Sequence, residues 1–131
     1  MRQRATVIDR TFDVLCSPSY QVPSTGQQVL VSSFSPMVST PFVYLDPLPE
    51  YPSRGTPTEI GVLSLDTYEI AKLYSSLEAG SKIAVVNFAN AWTVGGCALR
   101  GCTAQEEELC RRSNLYAALS SVRAFYALEK Y

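Results

Sequence analysis

Gln105, Glu106 and Glu107 set an amide and two carboxylates in a row, seven residues after a Gly95-Gly96-Cys97 run that itself follows Asn87 and Asn90. Adjacent carboxylates can divide labour, one accepting ligand hydroxyls while the other transfers a proton. Asparagine amides suit hydroxyl recognition, and paired glycines let backbone approach a ligand closely. The chain has no histidine, so any proton transfer falls to carboxylates, thiols or tyrosines. Each feature also has an ordinary structural explanation. Thr103 to Glu106 fits a T-x-x-E capping box, and acidic residues are favoured in a first helical turn. Gly-Gly serves turns, and asparagine satisfies loose backbone groups where a strand ends. Neither alternative accounts for Gln105 and Glu107 together with the glycine loop that feeds them.

Such a site needs a strand, a loop and a helix to position it. Ile83–Asn87 is an unbroken apolar run suited to a buried parallel strand. Upstream, Thr58–Leu65 reads as another strand and Thr67–Leu77 as a helix with Ile70, Leu73, Tyr74 and Leu77 on one face. Asp66 stands at their junction as a cap, and Gly80 is a stop signal. Strand, helix and strand make one right-handed βαβ unit. Ligands in open α/β sheets bind beyond the carboxyl ends of strands, here at Asp66 and Asn87–Asn90. Ala104–Leu119 reads as a further helix, extended or followed by a new turn over Ser121–Tyr131.

The preceding residues read differently. Residues 4–15 place Val7, Phe12 and Leu15 at near-helical spacing, PSTG marks a turn, and Val29–Val31 is a short strand. Between Ser32 and Pro57 the proline density excludes long helices and central strands. That segment is expected to be an ordered loop wrapping the domain.

A chain of 131 residues with 47% apolar content fits one globular core. A net charge of −1 supplies no electrostatic footprint for nucleic acid or an anionic membrane. No run is long enough to span a bilayer, and the N-terminus lacks a secretory h-region. The four cysteines suit reduced thiols and a cytoplasmic setting. Cys97, Cys102 and Cys110 follow no familiar zinc spacing, so no metal is expected. Arg111-Arg112 could meet phosphate or form i,i+4 pairs with Glu107 and Glu108.

NFANA (87–91), GGC (95–97), a seven-residue gap, QEE (105–107) and then ELCRRSNLY resemble the microbial-type poly(ADP-ribose) glycohydrolases, enzymes of macrodomain fold whose signature is G-G-G, six to eight residues, Q-E-E. TEIGVLSLDT (58–67) and the Y-x-V-P-x-T-G turn (20–26) are similar to the family as well, so nearly the whole chain is covered. The resemblance implies a three-layer α/β/α fold with the βαβ unit at its core, divided into an accessory segment at 1–57 and the N-terminal part of a macrodomain-like domain at 58–131. Members continue past the position of Tyr131 with further strands and a second phosphate loop, so three expectations stand side by side: a fragment, a degenerate relative, or a protein whose sheet is completed by a second chain as partner.

The resemblance also implies roles. Glu107 matches the acid/base and Glu106 the carboxylate that orients ribose. Asn87 and Asn90 match positions near the distal ribose, and Asp66 the residue that binds the adenine amino group. Gly95 and Gly96 match the loop beside ribose and diphosphate, with Cys97 standing at the third signature glycine. Gln105, in the QEE motif, joins the substrate-binding set. The implied activity is hydrolysis of the ribose–ribose bond of poly(ADP-ribose), without cofactor. The rival reading is an ADP-ribose-binding module or fragment without turnover. A Cβ at position 97 would strain the loop if that position needs positive φ; otherwise the thiol packs under Trp92.

Overall fold

The computed structural model describes residues 2–31, 50, 55, 57–80 and 82–121. The proline-rich wrapping loop lies almost wholly outside the described residues, as does the continuation past Ser121. The chain divides into two compact units, one of residues 1–41 with 87–131 and one of residues 42–86.

The first unit opens with helix α1 (Arg2–Leu15), followed by a hairpin of β1 (Ser19–Gln21) and β2 (Gln28–Leu30). The strands are antiparallel, with Tyr20 opposite Val29. Gly26, at φ 69°, makes the reversal in the YQVPSTG segment. Past residue 87 a 3₁₀ turn (Ala98–Arg100) precedes α3 (Gln105–Arg112) and α4 (Leu115–Ser121).

Ile8, Ala98 and Cys110 form the buried core, with Phe12, Leu115, Tyr116 and Leu119 packed against it. The rings of Phe12 and Tyr116 meet at 5.5 Å in a tilted pair. The inward face of α1 is therefore Ile8–Phe12, an i,i+4 pair, and Val7 is exposed. The single helix expected over 104–119 is two. Ser113 Oγ donates to the Leu109 carbonyl and accepts from Leu115 N–H, ending one helix and starting the next.

In the second unit, α2 (Thr67–Leu77) has the expected bounds. Asp66 caps it in a reciprocal capping box: Glu69 N–H donates to Asp66 Oδ1, and Asp66 N–H to Glu69 Oε2, both at 2.8 Å. The strands expected at 58–65 and 83–87 are not in a ladder; among the described residues β1–β2 is the one sheet. Ile60 and Val62 are 90% and 93% exposed. Their apolar, β-branched character fits a buried sheet, and the described residues supply no strand to pair with them. No helix among the described residues is long and apolar enough to cross a membrane.

Candidate functional site

The first turn of α3 draws residues 87–97 around itself. Gln105 Oε1 accepts the Phe88 N–H at 2.8 Å, and Glu106 Oε2 accepts the Asn90 N–H at 2.7 Å. Glu106 Oε1 takes the Asn87 side-chain amide at 3.3 Å. Glu107 Oε1 accepts the Cys97 N–H at 3.1 Å. Three consecutive side chains thus bind two stretches of the incoming chain, residues 87–90 and Cys97. The N-cap, Ala104, offers no side-chain bond, so the expected Thr103–Glu106 capping box does not form. Glu106 is committed to residues 87 and 90 instead.

Burial separates the two carboxylates from ordinary first-turn acids. Glu106 and Glu107 are only 2% and 6% exposed, while Glu108 faces solvent. Both oxygens of Glu106 hold donors. Glu107 Oε2 is buried without a hydrogen-bond partner among the described residues, and so is Asn87 Oδ1. Buried polar atoms are nearly always paired, so two orphan acceptors beside a glycine loop call for a donor from outside the described residues. Hydroxyl groups supply such donors.

The loop is shaped by two glycines with different neighbours. A Cβ at Gly95, φ 63°, would lie 2.6 Å from the Tyr116 ring and 3.2 Å from Cys110 Sγ. Gly95 therefore lets the loop rest on the core. A Cβ at Gly96, φ 57°, would collide with Glu107 Oε1 and approach Glu106 Oε2. Gly96 is the position where backbone meets the carboxylates. Cys97 has φ −110°, an ordinary value for an L-residue, so the expected strain is absent.

Cys97 is also not a free thiol under Trp92. It forms a disulfide with Cys102, against the expectation of reduced cysteines. Cys110 stays free and fully buried. Burial, reinforced by the charges of Glu106 and Glu107, pushes its thiol up to about 12. It is an inert packing group.

Asn90 Oδ1 accepts the N–H groups of Trp92 and Thr93 at 2.9 and 2.8 Å, an Asx turn that starts the loop. Asp66 belongs to the other unit, where it caps α2. Arg111 has a role that surface pairing did not capture. Its guanidinium, in a residue 4% exposed, donates to the Cys102 carbonyl at 2.6 Å and pairs with Glu108 at 2.7 Å. The pair is i,i+3 and leaves the guanidinium committed to the loop. Thr11 Oγ1 donates to the Arg111 carbonyl at 2.6 Å, tying α1 to the same helix. Among the described residues no three His, Cys, Asp or Glu side chains are grouped to hold a metal ion.

Known proteins share this fold. The chain matches the family model of the microbial-type PARG catalytic domain over residues 9–131. It is similar to the crystal structure of poly(ADP-ribose) glycohydrolase from Thermomonospora curvata, with a TM-score of 0.83 and 31% identity over 98% of this chain and 49% of that one. The same enzyme bound to the inhibitor ADP-HPD matches with a TM-score of 0.76 and 29% identity, over 98% of this chain and 48% of that one. The chain thus spans about half the length of these solved relatives, and over that span its fold is theirs, of the α/β class. Among curated proteins none matches.

Proposed function

The chain belongs to the family of microbial-type PARG catalytic domains, and on that premise we propose that it acts on poly(ADP-ribose), hydrolysing the ribose–ribose O-glycosidic bond with Glu107 as acid/base. The observation that carries this reading is the asymmetry of the Glu107 carboxylate. Oε1 is occupied by the Cys97 N–H, and Oε2 is buried and unpartnered among the described residues. Proton transfer is therefore assigned to Oε2. A proton there passes to the leaving ribose oxygen as the bond breaks toward an oxocarbenium-like anomeric carbon. The carboxylate left behind accepts a proton from the attacking water, restoring the acid.

Glu106 is the partner carboxylate that orients ribose, acting through the Asn87 side chain and the Asn90 backbone that it binds, and Asn87 Oδ1 is the acceptor offered to a ribose hydroxyl. Gln105 fixes the chain at Phe88 and Asn90 the loop entry. Gly95, Gly96 and Cys97 form the rim along ribose and diphosphate, and Asp66 takes the adenine amino group beyond its capping role. The fold around the site is proposed to be macrodomain-like, with 1–57 as accessory segment and 58–131 as the N-terminal part of the catalytic domain, working in the cytoplasm. A second chain completes the sheet, a reading supported by the exposed Ile60 and Val62. Sedimentation as a monomer under all conditions of activity would count against that partner.

Glu107→Gln keeps the shape and removes the transferable proton. Product release from poly(ADP-ribose) should fall by about 10²–10⁴, with ADP-ribose affinity held within a few-fold. Unchanged turnover ends the case for Glu107. A wild-type chain that binds ADP-ribose and releases no product is instead a binding module.

A further inference from the structure

We propose that Cys97 and Cys102 form a reversible redox clasp, closed by thiol–disulfide exchange with a low-molecular-weight disulfide, that holds the acid/base loop in its ligand-ready form. It rests on the reading of Glu107 given above and adds a modification site to it. The two Cα atoms are 5.6 Å apart, within bridging reach, and the pair closes a ring of six residues. Each end of that ring is fixed to something different. Cys97 donates its N–H to Glu107 Oε1, and its sulfur lies 3.5 Å from the same oxygen. The carbonyl of Cys102 is held by the buried Arg111 guanidinium. The bond therefore links a fixed point on α3 to the Cys97 amide that engages the acid/base.

Opening the bond changes two things at Glu107. The Cys97 amide loses its covalent tie to the Arg111-anchored end, and Sγ gains a hydrogen that can be donated to Oε1. Both cysteines are half-buried, so small thiols and disulfides can reach them. Cys110 is fully buried as a thiol and does not compete, and Cys16 is exposed just past the end of α1. Closure is balanced: one cysteine thiolate attacks the small disulfide and releases one small thiol. The other then attacks the protein sulfur of the mixed disulfide and releases the second. Cytosolic disulfides that persist at all are characteristically transient or redox-sensing.

The test uses the whole chain, oxidised with glutathione disulfide or reduced with a phosphine, beside Cys102→Ser, which cannot close. Reduction should speed hydrogen exchange at the Cys97 and Cys102 amides at least about tenfold and weaken ADP-ribose by roughly tenfold, an ordinary coupling between two sites. Cys102→Ser should match the reduced chain under both treatments. Equal exchange protection in the two redox states overturns the clasp, whatever the ligand does. Altered protection with equal ADP-ribose affinity overturns its link to the site. Failure of both forms to bind ADP-ribose overturns the hydrolase reading, while the exchange rates still decide the clasp.

Discussion

Gly96→Ala tests the contact between the loop and Glu107 most directly. The backbone at Gly96 has φ 57°, a left-handed value that costs an L-residue roughly 1–2 kcal/mol. Restricting the unfolded chain returns about 0.4–1 kcal/mol of this. Steric overlap costs more. The new methyl would overlap Glu107 Oε1 and sit 3.1 Å from its carboxyl carbon. Glu107 is buried and cannot swing into water as an exposed glutamate would. Moving its carboxylate forfeits the Cys97 N–H bond, and a hydrogen bond to a charged group is worth about 1.5–3 kcal/mol. The expected loss is about 3 kcal/mol, a large share of the roughly 5–15 kcal/mol typical of a domain.

Gly26→Ala separates the two contributions within the same compact unit. Its φ is 69°, and its Cβ would meet only Gln21 Nε2 at 3.8 Å, so it carries the backbone cost alone. Urea melts read by the sole tryptophan, Trp92, beside the loop, and by circular dichroism give both values. Adding Glu107→Ala to Gly96→Ala removes the obstacle and should recover the steric part as a coupling energy of about 2 kcal/mol. If Gly96→Ala costs no more than Gly26→Ala, or if the cycle shows no coupling, the close approach of loop to carboxylate is refuted.

Three further outcomes are expected. Asp66→Ala should lower helix stability by about 1 kcal/mol, seen as faster exchange of the Glu69 amide that it caps; unchanged exchange removes the capping role. Arg111→Met keeps the aliphatic stem and loses the bond to the Cys102 carbonyl, for about 2 kcal/mol, whereas Glu108→Gln on the exposed side of the pair should cost under about 1 kcal/mol. Equal costs would make the ion pair, not the loop anchor, the source of stability. For Cys110 the folded thiol is pushed up to about 12 from an ordinary 9.0. Above pH 9 the unfolded chain loses this proton and the folded chain keeps it, so the contribution is complete below pH 9 and declines from there toward pH 12. Cys110→Ala should flatten that decline in urea midpoints, and an identical slope would discount the thiol as its source.

The parts of this fold written in local chemistry are legible in the sequence. Asp66 with Glu69 three residues on, ahead of an apolar stripe, marks α2, because a cap and a helical face need nothing beyond their own segment. The YQVPSTG turn is of the same kind. Features that need a partner elsewhere are not legible in this way. Thr58–Leu65 and Ile83–Asn87 have strand composition, but composition states a preference for burial and cannot say whether a neighbouring strand is there to satisfy it. Periodicity runs the helix through Ser113, where one hydroxyl bonding in both directions breaks it. Spacing alone points Val7 inward, but tertiary packing chooses Ile8.

The site shows the same boundary at finer scale. Two adjacent glutamates after a glycine loop announce a carboxylate pair, yet nothing in their order says which does what. The division comes from the chain that reaches them across the fold. Asn87 and the Asn90 amide engage both oxygens of Glu106. Cys97 satisfies one oxygen of Glu107 and leaves the other buried and unpartnered among the described residues. The disulfide escapes the sequence for a related reason. Four cysteines in a chain of this size argue for free thiols, whereas the pairing follows from the Ala98–Arg100 turn and a left-handed Gly101, which bring Cys102 back to Cys97. The reversal that makes the disulfide also delivers the Cys97 amide to Glu107, so the residue that departs from the glycine signature is built into the surroundings of that carboxylate.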